Sequence, residues 1–511
     1  MNDISLVGTL MAPPPPQGAE LMALAGSVEW LEVRADLVGD INPEWLRSQF
    51  RGNLLYTLRS RDEGGLSEAS SEERRARLLH AAQHYDLVDL EGDRDLVAGL
   101  VDRIPPERRL ISWSGAAAGL RELRERLDKI TATPARLYRL SPAAKSASDG
   151  LAPLAVLQSV ARRDVIAFAM GQAGLWSRLL APHYGAPLVF GAVGTRHDSL
   201  GEPTISQLVE DYGLPRLPRP EALYGIVGSP VSHSLSPRLH NAAYRALGFP
   251  GLYVPLQEES FHDFWGEMVE SEHLESLRTP IKGLTVASPH KEAALELAVS
   301  ISPMVQRAGA TNLFIRNGKG WNADTTDPQG AVVALRDRGI AVQRQKAAVI
   351  GCGGAGRAVA ATLSQQGADV TLVNRSPDRG LLAQERLDLP FIPLTKFSPD
   401  DYSMLVNATP VGRNGDALPL DVSRMPAHGI VIDLAYGSEA TPLVAGAHSL
   451  GLQTVDGLEV LLIQVLRQFR LMTGLEMPPD IANAKLGLRS GELTGVGNLE
   501  GQKWVEKDCT V

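Results

Sequence analysis

The segment KAAVIGCGGAGRAVAATLSQQGADVTLVNRS, residues 346–376, constrains the fold more than any other part of the chain. A short apolar run, Ala347–Ile350, leads into Gly351-Cys352-Gly353-Gly354-Ala355-Gly356. An alanine-rich helical pattern follows, and then a second β-type run, Asp369–Val373. Strand, glycine turn, helix and strand in this order are the sequence form of a Rossmann dinucleotide unit. The glycines let the backbone turn tightly and approach a pyrophosphate, and the helix N-terminus presents free N–H groups. The second run ends in Asn374-Arg375-Ser376 and not in Asp or Glu. A carboxylate at that place takes the ribose 2′-OH of NAD, whereas an arginine pairs with a 2′-phosphate, so NADP is the expected cofactor.

That unit occupies a small part of a chain of 511 residues, a length that suits two to four domains of ~100–200 residues each. The first ~215 residues repeat a rhythm of short β-rich runs and longer amphipathic stretches. Strands are expected at 4–10, 27–38, 52–60, 85–93, 108–115, 135–142, 164–171 and 186–193, with helices such as Glu72–His84 and Leu120–Ile130 between them. Eight strands alternating with helices predict an α/β chain opening with a (β/α)8 barrel over residues 1–215, an open doubly wound sheet being the alternative. The proline-rich stretch Gly213–Leu223 reads as a linker. A second α/β domain is expected over 222–328, completed by a helix at about 456–475, and a Rossmann domain over 329–455. Residues 487–511 lack sustained periodicity and are expected to form a mobile tail.

Bulk properties exclude several classes. A net charge of −9 with a pI near 5.7 argues against a nucleic-acid footprint. No run approaches the ~18 apolar residues of a membrane span, and the N-terminus lacks a basic start followed by an apolar stretch. Cys352 and Cys509 form neither a disulfide framework nor a metal-ligand pattern, so no metal and a cytoplasmic setting are expected.

Three polar loops precede the glycine turn. Ser234 and Ser236, spaced i, i+2 before a helix, suit either a carboxylate ligand or helix capping. The second loop is Ala287-Ser288-Pro289-His290-Lys291, and the third joins Asn312 to Thr325-Thr326-Asp327. On their own, Lys291 reads as a surface lysine opening a helix and Asp327 as a helix cap. The ordered series GSPVSHSLSP, SPHKE, AGATN, TTD, GCGGAGRA, NRS, NATPVG and DGLEVLLIQ spans about 250 residues and resembles the shikimate dehydrogenases. The resemblance implies a reversible, NADP-linked reduction of 3-dehydroshikimate, with Lys291 and Asp327 as the catalytic pair. It implies that Ser234, Ser236, Asn312, Asp327, Tyr436 and Gln464 hold the substrate. It places Gly351, Gly353, Gly354, Ala355, Gly356, Asn374, Arg375, Ser376, Thr409 and Gly457 on the cofactor. The family usually has Asn at Thr285, Thr at Ala287 and Asn at Thr325, so substrate contacts are expected to differ, quinate being the competitor. His233, His240 and His290 are read as packed or hydrogen-bonded residues. A methylene-tetrahydrofolate dehydrogenase leaves SHSLSP unexplained.

The first 215 residues resemble type I dehydroquinate dehydratases, which are (β/α)8 barrels that also occur fused to shikimate dehydrogenases. The matching residues are Glu32 and Arg34 in EWLEVRADL, Arg59 in YTLRS, Glu91 in VDLEG and Arg178 in MGQAGLWSR. Each lies at or beyond the C-terminal end of an expected strand, and arginines and carboxylates there suit a polyhydroxylated carboxylate ligand. That family's imine-forming lysine and proton-shuttling histidine are absent. Ser112-Trp113-Ser114 stands where the histidine is expected, and Arg139 where the lysine is expected. A guanidinium has no neutral amine to offer a carbonyl, and a serine is no base near neutral pH. Lys129 and Lys145 are the only lysines before Lys282, and the Ser-Ala-Pro-Gly-Gln lid is shortened to Ser199-Leu200-Gly201-Glu202. Trp113 and Trp176 are read as barrel packing. The expectation is a dehydrogenase joined to a degenerate barrel, with a fully bifunctional enzyme and a non-catalytic metabolite sensor as alternatives.

Overall fold

The computed structural model describes residues 4–14, 26–194, 201–318, 320–413, 417–437 and 439–487, together with Leu21, Leu24 and Gly415. Residues 488–511 of the expected tail, and Ser199 and Leu200 of the shortened lid, lie outside them. The chain divides into two compact units, Met1–Ile281 and Lys282–Val511.

In the first unit, the eight expected strands are β1 (Ser5–Leu10), β2 (Trp30–Arg34), β3 (Asn53–Thr57), β4 (Leu87–Glu91), β5 (Arg109–Gly115), β6 (Leu137–Pro142), β7 (Val165–Ala167) and β8 (Leu188–Ala192). All neighbours pair in parallel, in the order β7-β6-β5-β4-β3-β2-β1-β8. The barrel is therefore nearly closed, with its seam between β7 and β8. The strand expected over 27–38 stops at Arg34, where the chain turns into the short helix Ala35–Val38. Strands such as β4 are buried along their whole length, as a parallel strand covered on both faces must be. Helix Ser71–His84 begins where Ser70 accepts a hydrogen bond from the Glu73 N–H, satisfying one of the free donors of its first turn.

The proline-rich segment is packed and not a free linker: Leu214 and Leu217 are buried, and its last residues already belong to β9 (Ala222–Gly228). Tyr184 Oη donates to the Leu277 carbonyl at 2.6 Å, the Ala147 N–H donates to Glu258 at 3.2 Å, and Arg238 pairs with Asp211 at 2.7 Å. These bonds join the barrel to the segment that follows it. There β9 pairs in parallel with β10 (Gly251–Gln257), and the helix Ser236–Leu247 is clamped to β10 by two bonds between the Asn241 amide and the Tyr253 backbone.

The second unit opens with β11 (Ile281–Val286, all but its first residue). This strand pairs antiparallel with β13 (Leu313–Asn317), which pairs antiparallel with β14 (Gly320–Asp324). The short β12 (Ser300–Ile301) lies parallel to β14. A parallel sheet follows, made of β15 (Lys346–Ile350), β16 (Asp369–Asn374), β17 (Phe391–Pro393), β18 (Met404–Asn407), β19 (Ile430–Asp433) and β20 (Gln453–Val455). Its order is β17-β16-β15-β18-β19-β20, the doubly wound order of a dinucleotide fold. The period of two sorts β15 between two cores: Ala347 and Val349 enter one cluster, Ala348 and Ile350 the other. Helix Gly457–Thr473 lies within the expected 456–475 and starts at Asp456, whose side chain accepts from the Glu459 N–H.

Candidate active site

Four elements of the second unit converge on one carboxylate. Lys291 follows the turn after β11, Asn312 precedes β13, Asp327 is the first residue of helix Asp327–Asp337, and Gln464 lies on helix Gly457–Thr473. Lys291 Nζ donates to Asp327 Oδ2 at 2.7 Å, and Asn312 Nδ2 donates to Asp327 Oδ1 at 2.9 Å. Gln464 Nε2 stands 3.5 Å from the same oxygen. The Asp327 side chain is 5% exposed and that of Lys291 21%, so the carboxylate is buried while the ammonium remains reachable. Neither plain reading of these residues holds. Lys291 opens no α-helix, and Asp327 spends its oxygens on the lysine and the amide.

The glycine turn packs against the same lysine. A Cβ on Gly354 would stand 3.3 Å from Lys291 Cβ and 2.7 Å from Ala310 Cβ. One on Gly356 would meet the Gly351 carbonyl oxygen at 1.8 Å, and Gly351 itself has φ +101°, so both positions require glycine. A Cβ on Gly353, the N-cap of helix Gly354–Gln365, would meet nothing within 4 Å. That open face at a helix N-terminus fits a pyrophosphate. Asn374 closes the turn, accepting from the Cys352 N–H at 3.1 Å and donating to the Ser376 carbonyl at 2.9 Å, while Arg375 is exposed. Thr409 Oγ1 donates to Asn407 at 2.7 Å, next to Gly351. Gly457 allows close approach to the Ala435 carbonyl, and the half-buried Tyr436 ring has Arg413 5.5 Å from its centre.

Ser234 and Ser236 belong to the first unit. Ser234 Oγ accepts from the Ser236 N–H at 3.2 Å, but the N-cap of helix Ser236–Leu247 is Leu235 and carries no side-chain cap, so neither serine caps this helix in the expected way.

The barrel interior holds a closed set of ion pairs. Arg59 donates to Glu63 at 2.6 Å and to Asp89 at 2.5 Å. Arg139 donates to Asp89 at 2.5 Å and Glu32 at 3.3 Å, and its guanidinium lies 4.9 Å from the centre of the Phe190 ring. Arg74 joins Glu91 and Asp95 at 3.3 and 2.6 Å. Arg34 pairs with Asp36, and Arg178 with Glu202 and the Phe190 carbonyl. Asp89, Glu63, Arg74 and Asp95 carried no signal in the sequence, although Asp89 stands two residues before Glu91 and so on the same face of β4. Burial pushes the Asp89 carboxyl up, but the guanidinium groups of Arg59 and Arg139 hold it below the usual carboxylate range. Lys145 is exposed, and Lys129 is paired with Asp93.

Five carboxylates (Glu32, Glu63, Asp89, Glu91, Asp95) meet three guanidinium groups (Arg59, Arg74, Arg139) in this network. Among these carboxylates, Glu63 is the one whose carboxyl is raised. Burial pushes its carboxyl up to about 8, against the pull of Arg59 and with Glu91 and Asp89 adding to the rise. Glu63 lines a cavity of about 470 Å³ with Ser60, Glu91, Trp113, Ser114 and Arg126. A carboxyl raised on folding makes the folded state bind the extra proton, so stability falls as pH rises from about 4.5 to about 8. Glu63→Gln, which mimics the protonated acid, should remove that slope. Urea midpoints at pH 6 and pH 8.5 measure it, and equal pH dependence in both proteins would refute the assignment.

Family models match along the chain in the order of these folds. The Type I 3-dehydroquinase model covers residues 13–216, the shikimate dehydrogenase substrate-binding domain 226–314, and the ketopantoate reductase PanE/ApbA model 347–397. The chain is 30% identical over 482 residues to the chloroplastic bifunctional 3-dehydroquinate dehydratase/shikimate dehydrogenase of Arabidopsis thaliana, covering 88% of this chain and 78% of that protein. It is 36% identical over 277 residues to the shikimate dehydrogenase (NADP(+)) of Oleidesulfovibrio alaskensis, covering 52% of this chain and 94% of that one. The shikimate 5-dehydrogenase of Thermus thermophilus, solved with NADP(H) and shikimate, is 34% identical over 52% of this chain and 98% of its own, with a TM-score of 0.47. A dehydroquinase-type barrel followed by shikimate dehydrogenase folds is thus the class. The chain belongs to the family of bifunctional 3-dehydroquinate dehydratase/shikimate dehydrogenases. No helix among the described residues is long and apolar enough to cross a membrane.

Proposed function

We propose that the chain is an NADP-dependent shikimate dehydrogenase of aromatic amino acid biosynthesis, reducing 3-dehydroshikimate reversibly, and that its barrel is a degenerate dehydroquinase. The observation that carries the first part is the Lys291–Asp327 contact at 2.7 Å beside the glycine turn. NADPH supplies the hydride. As the ketone oxygen gains charge, Lys291 Nζ delivers a proton to it, and Asp327 keeps the ammonium in place between turnovers. Asn312 and Gln464 hold the other oxygen of Asp327; the Asn312 Oδ1 and the rest of the Gln464 amide are the groups that meet the substrate hydroxyls. Ser234 and Ser236 take the substrate carboxylate, and Tyr436 completes the substrate contacts. The backbone of Gly351–Gly356 and the helix behind it take the pyrophosphate. Asn374, Arg375 and Ser376 take the adenosine 2′-phosphate, and Thr409 and Gly457 the nicotinamide half. The proposed division of labour is a barrel over 1–215, a substrate domain over 222–328 completed by the helix at about 456–475, and an NADP domain over 329–455 that also supplies Tyr436. The cytoplasmic setting rests on cysteine usage alone.

The degenerate reading of the barrel is supported by Arg139, whose guanidinium is committed to Asp89 and Glu32, and by Ser114 in place of a histidine. Glu32, Arg34, Arg59, Glu91 and Arg178 keep the charges of a ligand site, but each is already paired within the barrel. Full bifunctionality is the second reading, favoured by similarity to the Arabidopsis protein across 88% of the chain. One set of assays on the full chain separates them. Shikimate with NADP should give rapid reduction and NAD much less, while 3-dehydroquinate should give no enone absorbance. Absence of NADP reduction would sink the dehydrogenase reading. Enone formation, with a borohydride-trapped adduct on Lys145, would sink the degenerate one.

A further inference from the structure

Gln468 lies one turn beyond Gln464 on helix Gly457–Thr473 and is 3% exposed. Its Oε1 accepts from the Thr285 hydroxyl at 3.1 Å, and its Nε2 donates to Thr326 Oγ1 at 3.0 Å. Thr326 is fully buried. Its hydroxyl also accepts from Asn312 Nδ2 at 3.1 Å, and its N–H donates to Asn312 Oδ1 at 2.8 Å. The same Asn312 amide then reaches Asp327 Oδ1. A run of hydrogen bonds therefore leads from β11 through Gln468 and Thr326 to the carboxylate that holds Lys291.

A buried amide is costly unless both its ends are satisfied, and a leucine at this place on the helix would fill space without that demand. Both ends of Gln468 are satisfied, each by a threonine hydroxyl. Thr285 stands where the resembled family usually has asparagine, and its hydroxyl is used within the protein on Gln468. We propose that Gln468 is a positioning residue for the catalytic pair: with Thr285 it holds the Thr326 side chain, and through Thr326 it fixes the Asn312 amide that steadies Asp327. The inference rests on the reading of Lys291 and Asp327 as the catalytic pair. Its consequence is geometric. A small misplacement of a proton donor slows the chemical step while leaving cofactor binding intact.

The test compares wild type, Gln468→Met, Thr285→Val and the double variant in reduction of 3-dehydroshikimate, with NADPH and with NADPH deuterated at the transferred hydride. Each single variant should lower kcat about tenfold with KM for NADPH changed less than about twofold, as loss of positioning predicts. The double variant should fall no further than the lower single, because both substitutions break the same connection. The deuterium isotope effect should rise in all three variants. Partial unfolding lowers only the active fraction and leaves the isotope effect as in wild type, so it is told apart from a positioning loss. A kcat within about twofold of wild type, an unchanged isotope effect, or multiplying losses in the double variant would each overturn the proposal. A wild type that does not reduce 3-dehydroshikimate would overturn the functional reading, and this inference with it.

Discussion

Lys291→Ala is expected to lower kcat for NADP-linked oxidation of shikimate by about two to four orders of magnitude, the usual worth of a positioned acid–base group. The ammonium donates to Asp327 at 2.7 Å, and its stem packs against the glycine turn at Gly354. Alanine removes the proposed proton carrier and leaves Asp327, 5% exposed, facing a gap on one side. KM for NADP should change little, since the turn requires glycine backbone and not the lysine. Lys291→Arg separates two roles. Arginine keeps the positive charge but is not deprotonated near neutral pH and so cannot take the hydroxyl proton, and a loss nearly as deep as that of alanine marks proton transfer. Near-complete recovery with arginine would mean that charge alone is needed. Near wild-type turnover in Lys291→Ala would show that the substrate proton goes elsewhere. Steady-state rates at saturating NADP decide among these.

Arg139→Leu carries the second large effect, on stability. Arg139 is 6% exposed and joins Asp89 to Glu32, while Asp89 also holds Arg59. Removing one partner of a buried ion pair leaves an uncompensated charge, which costs about 3–5 kcal/mol. Leucine fills the space beside Phe190 but offers nothing to the two carboxylates. The urea midpoint for the barrel, followed by tryptophan fluorescence, should fall accordingly. Arg139→Lys should lose less, because a point charge remains without the two-pronged fork. A midpoint for Arg139→Leu equal to that of wild type would show that Asp89 and Glu32 are satisfied without it, and the guanidinium would then be available to a ligand.

Much of this was legible in the sequence where the signal is local. Each barrel strand lies within its expected run because parallel strands, buried on both faces, read as short apolar stretches closed by turn residues. The glycine turn was legible because glycine is required where backbone meets backbone, as Gly356 meets Gly351. The Lys291–Asp327 contact was not legible from spacing, since 36 residues separate the partners and only the resemblance joined them. Arg139 and Glu32, 107 residues apart, carry no pattern that pairs them. Gln468 looks like any polar residue on an amphipathic helix, and its partner Thr285 lies 183 residues away. Proline content misled over 213–223, because Leu214 and Leu217 are buried among residues of the first unit.

That packed crossing gives the barrel an influence apart from any chemistry of its own. Tyr184 and Ala147 bind Leu277 and Glu258, and Asp211 binds Arg238 on the helix that Ser236 begins. The serine loop is thus anchored to the barrel as an arch is to its abutment. With Ser234 and Ser236 in their proposed role as carboxylate contacts, loosening the barrel, by Arg139→Leu or by heat, should weaken retention of the carboxylate-bearing substrate. A chain cut at residue 215 would lose the same anchor and carry the same defect.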